Sequence, residues 1–196
     1  MAHTNPIRIQ GDWSDGYALD LHTTRSVYLG DNEYGHPEFD TEYSEVGALV
    51  KAVKYRGDLS RVPELIDTAA HFIRHWGVGI DVVVPAPPSR QRRVQPVEVI
   101  ASGIAQALGV ADGRGAVWRT KAVPELKGLA NQDERAVALD GAHDVNPTMT
   151  RGRRVLLFDD LFRSGAPMGS AARLLLARGG ATEVFALTLT KTRTNR

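Results

Sequence analysis

The chain has 196 residues and 42% of them are apolar, so it can bury a hydrophobic core as one domain with at most a modest extension. Its 24 basic and 23 acidic residues give a net charge of +1, which excludes a global field that would by itself attract nucleic acid or an anionic membrane. The absence of cysteine excludes disulfides and thiolate zinc sites. Without an apolar signal core or a run of eighteen apolar residues, we expect a cytoplasmic protein.

The N-terminal part has a β-type pattern. Residues 7–30 alternate apolar and polar side chains between glycines, which predicts a short hairpin or meander. Residues 31–43 are rich in charge, Gly and Pro, which predicts a loop. We therefore expect two parts: an N-terminal β-hairpin or hood extension over 1–44, and an α/β domain over 45–196.

The second part alternates helices and strands. Apolar spacing predicts helices over 45–55 and 62–76, and the β-branched run at 80–87 predicts a buried strand that ends near Pro85. A helix over 97–108 is expected to end at Gly109. After a weaker strand at 116–118 and a polar segment over 119–144, the pattern predicts a strand at 155–158, a helix at 167–178 and a strand at 183–189. This order predicts a parallel sheet with right-handed crossovers.

The stretch VLLFDDLFRSGAP, at 155–167, carries the clearest chemistry. Asp159 and Asp160 end a buried strand, where they could bind a sugar diol or a metal, or could simply be solvated charges. The small residues 164–166 let backbone N–H groups approach an anion at the start of the next helix. A phosphate beside a diol describes a ribose 5-phosphate.

Arginines cluster at 89–93, 151–154 and 193–196. Such clusters are most often solvated surface, and the alternative is a local contact with polyphosphate or single-stranded DNA. The histidines lack carboxylate partners at metal-ligand spacing, so no zinc site is expected.

The 155–167 stretch resembles the phosphoribosyl-diphosphate signature of type I phosphoribosyltransferases. KAVKYRGD at 51–58, VVPAPPSRQRR at 83–93 and ERAVALDGAH at 134–143 are similar to segments of the ComF-like, competence-associated branch of that family. The resemblance implies an α/β fold in which a parallel sheet is flanked by helices, with a small hood over the strand ends. It also implies a glycosyltransferase of nucleotide metabolism that uses phosphoribosyl diphosphate (PRPP).

The resemblance also implies roles for individual residues. Asp159 and Asp160 would hold the ribose hydroxyls, and an arginine such as Arg90 or Arg135 would stabilise the departing diphosphate. The 5-phosphate would lie on Arg163, Ser164, Gly165 and Ala166, and the diphosphate on Ala86 and Pro87. Mg²⁺ would be carried mainly by substrate oxygens, with few protein ligands.

Two functions stay open from the sequence. The family's phosphate loop has hydroxyl residues at the positions of Arg163, Ser164 and Pro167, and only Ser164 keeps one. The first function is transfer of a 5-phosphoribosyl group to or from an amine or nucleobase nitrogen. The second is a catalytically degenerate accessory protein that binds nucleotide or single-stranded DNA, with DNA-processing partners. Neither involves a membrane, and a homodimer is compatible with both.

Overall fold

A computed structural model describes residues 1–88, 95–120 and 143–193. Its strands are β1 (Ile7–Arg8), β2 (Asp15–Leu21), β3 (Thr23–Asp31), β4 (Pro37–Tyr43), β5 (Val82–Pro85), β6 (Ala111–Asp112), β7 (Val117–Arg119), β8 (His143–Val145), β9 (Arg154–Phe162) and β10 (Glu183–Lys191). Its α-helices are α1 (Glu45–Arg56), α2 (Val62–Trp76), α3 (Pro96–Leu108), the single turn α4 (Pro147–Thr150) and α5 (Ala166–Ala177).

A six-stranded sheet in the order β1-β2-β10-β9-β5-β6 organises the chain. All its pairings are parallel except that of β1 with β2. Helices cover both faces, since α1, α2 and α3 pack on one and α5 on the other. The α/β fold class predicted from the sequence is therefore confirmed. No helix within the described residues is long and apolar enough to cross a membrane.

The central strands carry side chains to two separate layers of core. Leu156 and Phe158 of β9 are buried among the α1–α3 helices, whereas Val155 and Leu157 are buried on the α5 side. This is the alternation expected of an extended strand that is covered on both faces. The same alternation decides where the acids that follow Phe158 are placed.

The N-terminal prediction was wrong in detail. Part of the hairpin predicted over 7–30 forms, since β1 pairs antiparallel with β2, but β2 also pairs in parallel with β10 and so joins the central sheet. A second hairpin consists of β3 and β4, so the loop predicted over 31–43 contains a strand. The missed signal was the alternation of Phe39, Thr41 and Tyr43 among acidic residues. The domain division at residue 44 stays a prediction, although residues 7–21 share the sheet of the second part.

The later elements follow the sequence more closely. The helices at 45–55 and 62–76 are confirmed, and α3 ends at Gly109, which adopts the left-handed conformation expected of a helix C-cap. The strand predicted at 155–158 is longer and ends at Phe162, so both acids lie inside it. Residues 121–142 of the predicted polar segment lie outside the described residues.

Candidate functional site

The two acids of β9 lie on opposite faces of the central sheet. Asp160 continues the row of Leu156 and Phe158 and lines a crevice with Val50 and Ile100, on the α1–α3 side. By strand alternation, Asp159 continues the row of Val155 and Leu157 on the α5 side. Adjacent residues in the sequence therefore face different chemical surroundings.

Asp160 is paired with a lysine. The Nζ atom of Lys54, in the last turn of α1, lies 2.9 Å from Oδ1 and 2.8 Å from Oδ2 of Asp160. The two side chains are 24% and 9% exposed, respectively. Since removing one partner would leave an uncompensated buried charge, each residue stabilises the other in place. Lys54 lies in the KAVKYRGD segment, but no local pattern predicts a contact with a residue 106 positions away.

The backbone of Asp160 is held as well. The Thr190 hydroxyl donates to the Asp160 carbonyl at 3.1 Å, and His22 Nδ1 lies 3.1 Å from the same hydroxyl. Burial and the neighbouring Lys54 ammonium lower the pKa of His22, so the ring is neutral at pH 7. Asp160 thus belongs to a closed polar network that connects α1, β9 and β10.

Asp159 has a different environment. Its Oδ1 accepts a hydrogen bond from the Asp160 backbone N–H at 2.8 Å. No ion pair of Asp159 occurs within the described parts of the chain. Burial, together with the negative charge of Asp160, raises the pKa of Asp159 to about 7. This carboxyl therefore changes protonation state near neutral pH, where a ligand can shift it.

Thr188 lies beside Asp159 and has an unused hydroxyl. The two residues are register partners on β10 and β9, so their side chains lie on the same face of the sheet. Thr188 is fully buried, and within residues 1–88, 95–120 and 143–193 its Oγ1 has no hydrogen-bond partner. A buried hydroxyl group without a hydrogen-bond partner is uncommon in native structures, so a partner for it is expected. Sequence reasoning missed it, because a threonine inside an apolar strand is an ordinary β-former.

The chain after β9 forms a turn that presents backbone N–H groups. Gly165 has φ +74°, and a Cβ added there would meet the Phe162 ring at 2.8 Å, so the turn requires glycine. Phe162 is buried beneath the turn, with its ring edge-on to Trp13 at 6.2 Å between centroids. Ser164 lies in this turn and is half-buried, whereas Arg163 is exposed.

Helix α5 starts directly after Gly165. Helix geometry leaves the N–H groups of Ala166 and Met168 without an intrahelical acceptor, and Pro167 between them has no N–H. Gly169 closes the first turn by donating to the Gly165 carbonyl at 2.8 Å. The helix dipole adds partial positive charge at this point. The predicted phosphate loop therefore has one donor fewer than a loop without proline.

The predicted diphosphate loop begins next to β9. The Ala86 N–H donates to the Phe158 carbonyl at 2.7 Å, directly before Asp159, and Pro87 follows it at the surface of the same edge. The structure thus brings Ala86 and Pro87 to the strand end that carries the acids. Arg90 lies outside the described residues.

The side chains available as metal ligands indicate how the implied Mg²⁺ could be held. The described residues contain no group of three or more His, Asp or Glu side chains arranged to hold a metal ion. Asp159 is one carboxyl that could contribute to a cation. A single carboxyl fits an ion that is bound mainly by the oxygens of a diphosphate. It does not fit a resident ion that the protein itself would hold.

Comparisons with known proteins bear on the fold. No protein-family model matches the sequence, and no curated protein matches it. Adenine phosphoribosyltransferase from Trypanosoma brucei, solved with AMP, pyrophosphate and ribose-5-phosphate, is similar at a TM-score of 0.51 and 15% identity; the match covers 95% of this chain and 74% of that one.

Two further solved structures are similar at lower scores. Adenine phosphoribosyltransferase from Thermoanaerobacter pseudethanolicus gives a TM-score of 0.47 at 15% identity, over 85% of this chain and 95% of that one. Glutamine PRPP amidotransferase from B. subtilis gives 0.46 at 17% identity, over 76% of this chain and 28% of that one. At such identities, structural similarity shows the fold alone. With its parallel sheet flanked by helices, this chain has the α/β fold of the phosphoribosyltransferases.

Proposed function

We propose that this chain is a phosphoribosyltransferase that binds PRPP at the carboxyl end of β9 and transfers a 5-phosphoribosyl group to or from an amine or nucleobase nitrogen. The observation that carries the proposal is that Asp159 lies on the α5 face of β9, on the same side of the sheet as the helix that starts after the Gly165 turn. This arrangement supports a carboxyl for a diol and an anion-binding turn on one side of the sheet.

Each group has a stated role in the proposal. Asp159, ionised in the complex, accepts hydrogen bonds from the ribose hydroxyls, and the 5-phosphate lies on the N–H groups from Ser164 to Ala166, with Arg163 at the rim. Ala86 and Pro87 border the diphosphate. Asp160 is a positioning residue, because Lys54 occupies both of its carboxylate oxygens.

The reaction exchanges one bond for another at the anomeric carbon. The bond to the diphosphate oxygen breaks and the diphosphate leaves with the electron pair, while the acceptor nitrogen forms the new bond and releases a proton. Orienting these groups and stabilising the departing charge are the contributions expected of the protein. Arg90 is proposed for the departing charge, and Mg²⁺, when bound to the diphosphate, would neutralise part of it.

The T. brucei enzyme supports the proposal, since it shares the fold and was solved with AMP, pyrophosphate and ribose-5-phosphate. The ComF-like branch and its competence role rest on sequence resemblance alone.

Calorimetric titration with PRPP and Mg²⁺ tests the proposal. We expect binding well below ~1 mM, with ribose 5-phosphate as a competitor. We also expect 2-deoxyribose 5-phosphate to compete about tenfold or more weakly, because it lacks one hydroxyl for a charged acceptor. A folded protein that binds no PRPP below ~1 mM would contradict the proposal. If both sugars competed equally well, Asp159 would not be the residue that binds the ribose diol.

A second candidate is a non-catalytic protein that binds nucleotide or single-stranded DNA. Two observations favour it: Lys54 occupies Asp160, and Pro167 removes one N–H donor from the phosphate turn. Release of diphosphate from PRPP, assayed with a panel of bases and amines, separates the candidates. Binding without turnover, together with oligonucleotide affinity that falls steeply with salt, is the result expected of the second.

A further inference from the structure

Helix α2 carries two histidines on its outer surface. His71 and His75 are four residues apart, so their side chains lie one turn apart on the same face of the helix. Both residues are exposed, whereas the apolar side of α2, which includes Leu65, Ala69 and Ile73, is buried in the core. The two imidazoles are therefore open to solvent and lie outside the packed face of the helix.

The two imidazole rings lie against each other. Their centroids are 4.3 Å apart, and the ring planes are inclined by 42°. Two nitrogens that bind one tetrahedral Zn²⁺, each at about 2.0–2.1 Å, lie about 3.3 Å from each other. The rings are thus close enough for one nitrogen of each to bind the same ion after rotation about their side-chain bonds.

A backbone contact determines the tautomer of His75. Its Nδ1 lies 2.8 Å from the His71 carbonyl oxygen, and because a carbonyl only accepts hydrogen bonds, Nδ1 carries the proton. In the neutral ring the lone pair is then on Nε2. Histidines that bind metals almost always donate their other N–H to a carbonyl, a carboxylate or water. His75 therefore already makes the hydrogen bond that orients a metal ligand.

The neighbouring charges are compatible with a bound cation. Asp67 lies one turn before His71 and is exposed, so a negative charge is present on this part of the helix surface. Arg74 is the nearest cation along the chain, and it donates to the Ala107 carbonyl at 2.6 Å. Its guanidinium is thereby held against the C-terminal end of α3.

The ligand type selects the class of metal. Imidazole suits zinc, copper and nickel ions, whereas Mg²⁺ takes oxygen ligands. Two histidines separated by three residues are also the pair that binds zinc on the helix of H-E-x-x-H proteins. Within the described residues, no group of three or more His, Asp or Glu side chains completes a closed site. Water would fill the remaining positions, so the ion would exchange with solvent.

We propose that His71 and His75 form a two-histidine site for an exchangeable transition-metal ion of the Zn²⁺ class on the outer face of α2. The proposal is independent of the proposed function, since a Mg²⁺ ion carried by a diphosphate uses other ligands. An ion that joins two successive turns and binds only the folded chain stabilises it, so zinc should raise the thermal unfolding midpoint.

Calorimetric titration of the full chain with zinc chloride, in the absence of PRPP, tests the proposal. We expect a dissociation constant below ~100 μM. His71→Ala and His75→Ala should each raise it about tenfold or more, with unchanged circular-dichroism spectra. The matched control is His36→Ala, which removes an exposed histidine between β3 and β4 and should leave the constant within about twofold. Mg²⁺ at ~1 mM should not compete.

Proton–nitrogen correlation spectra of the imidazole rings give a second test on the wild-type chain, which does not depend on how a variant folds. Zinc should bind Nε2 of His75, while Nδ1 keeps its proton. Three results would overturn the proposal. They are a wild-type chain that binds no zinc at ~1 mM, equal zinc affinity in wild type and both alanine variants, and an ion bound to Nδ1 of His75.

Discussion

The two sides of the β9 strand end differ in how their acid is neutralised. On the α1–α3 side, Asp160 is balanced by the Lys54 ammonium and held by Thr190. On the α5 side, Asp159 is protonated up to about pH 7 and lies beside the orphaned hydroxyl of Thr188. Two adjacent positions of the strand thus separate an ion-paired acid from an acid that has no ion pair among the described residues.

Breaking the ion pair should have the largest effect. Lys54→Met leaves Asp160 buried without a counter-charge, so we expect the free energy of unfolding in urea to fall by about 3–5 kcal/mol at pH 7. The double variant Lys54→Met/Asp160→Asn should recover most of that loss. If the two substitutions instead cost the sum of the single variants, the pair is not the stabilising unit described here.

Gly165→Ala tests the α5 side directly. The added methyl group meets the Phe162 ring and forces a left-handed residue that bears a Cβ, so we expect a loss of about 2–3 kcal/mol in urea unfolding. Gly35→Ala, also at positive φ but with open space around it, is the matched control and should cost only about 1–2 kcal/mol. Equal losses would show that Phe162 does not confine the turn.

Asp159→Asn should stabilise the protein while it weakens ligand binding. The folded-state pKa of about 7 lies above the ordinary value of 3.8, so the folded protein holds this proton more tightly than the unfolded chain does. The free energy of unfolding therefore decreases as the pH rises from about 4 to about 7. The full loss is present above about pH 7, and it disappears below about pH 4. We expect the free energy of unfolding of the variant to exceed that of the wild type by about 1–3 kcal/mol at pH 8 and to equal it at pH 3.5. A stability gain that does not depend on pH would contradict the raised pKa.

Thr188→Val should have the smallest effect on stability. Because the valine side chain matches threonine in shape and removes an unpaired buried hydroxyl, the free energy of unfolding should rise by about 1 kcal/mol. If the hydroxyl completes the site around ionised Asp159, PRPP affinity should fall by about three- to tenfold in the same variant. Loss of stability together with unchanged affinity would show that the hydroxyl has a structural partner.

Local sequence patterns predicted the framework well, because helices such as Glu45–Arg56 and strands such as Val82–Pro85 are determined by apolar periodicity within a few residues. They failed for β4, whose acidic and proline content is typical of a loop although its alternation is that of a strand. They also placed Asp159 and Asp160 after a strand, where both could reach one diol. In the structure the strand continues, and its alternation separates them.

The contacts that differentiate the acids could not be predicted from local patterns. Lys54 reaches Asp160 across 106 positions, and Thr188 becomes the neighbour of Asp159 only through the parallel register of β9 and β10. Such contacts depend on how the sheet assembles, which periodicity does not specify.

In the proposed site, Asp159 and not Asp160 contacts the ligand. Calorimetric titration of PRPP with Mg²⁺ into Asp159→Asn and into Lys54→Met/Asp160→Asn compares the two sides in one experiment. We expect the first variant to lose about 10–100-fold in affinity, as for a lost charge-assisted hydrogen bond, and the second to remain within about fivefold of wild type. The reverse pattern, with affinity lost in the double variant and retained in Asp159→Asn, would contradict the claim.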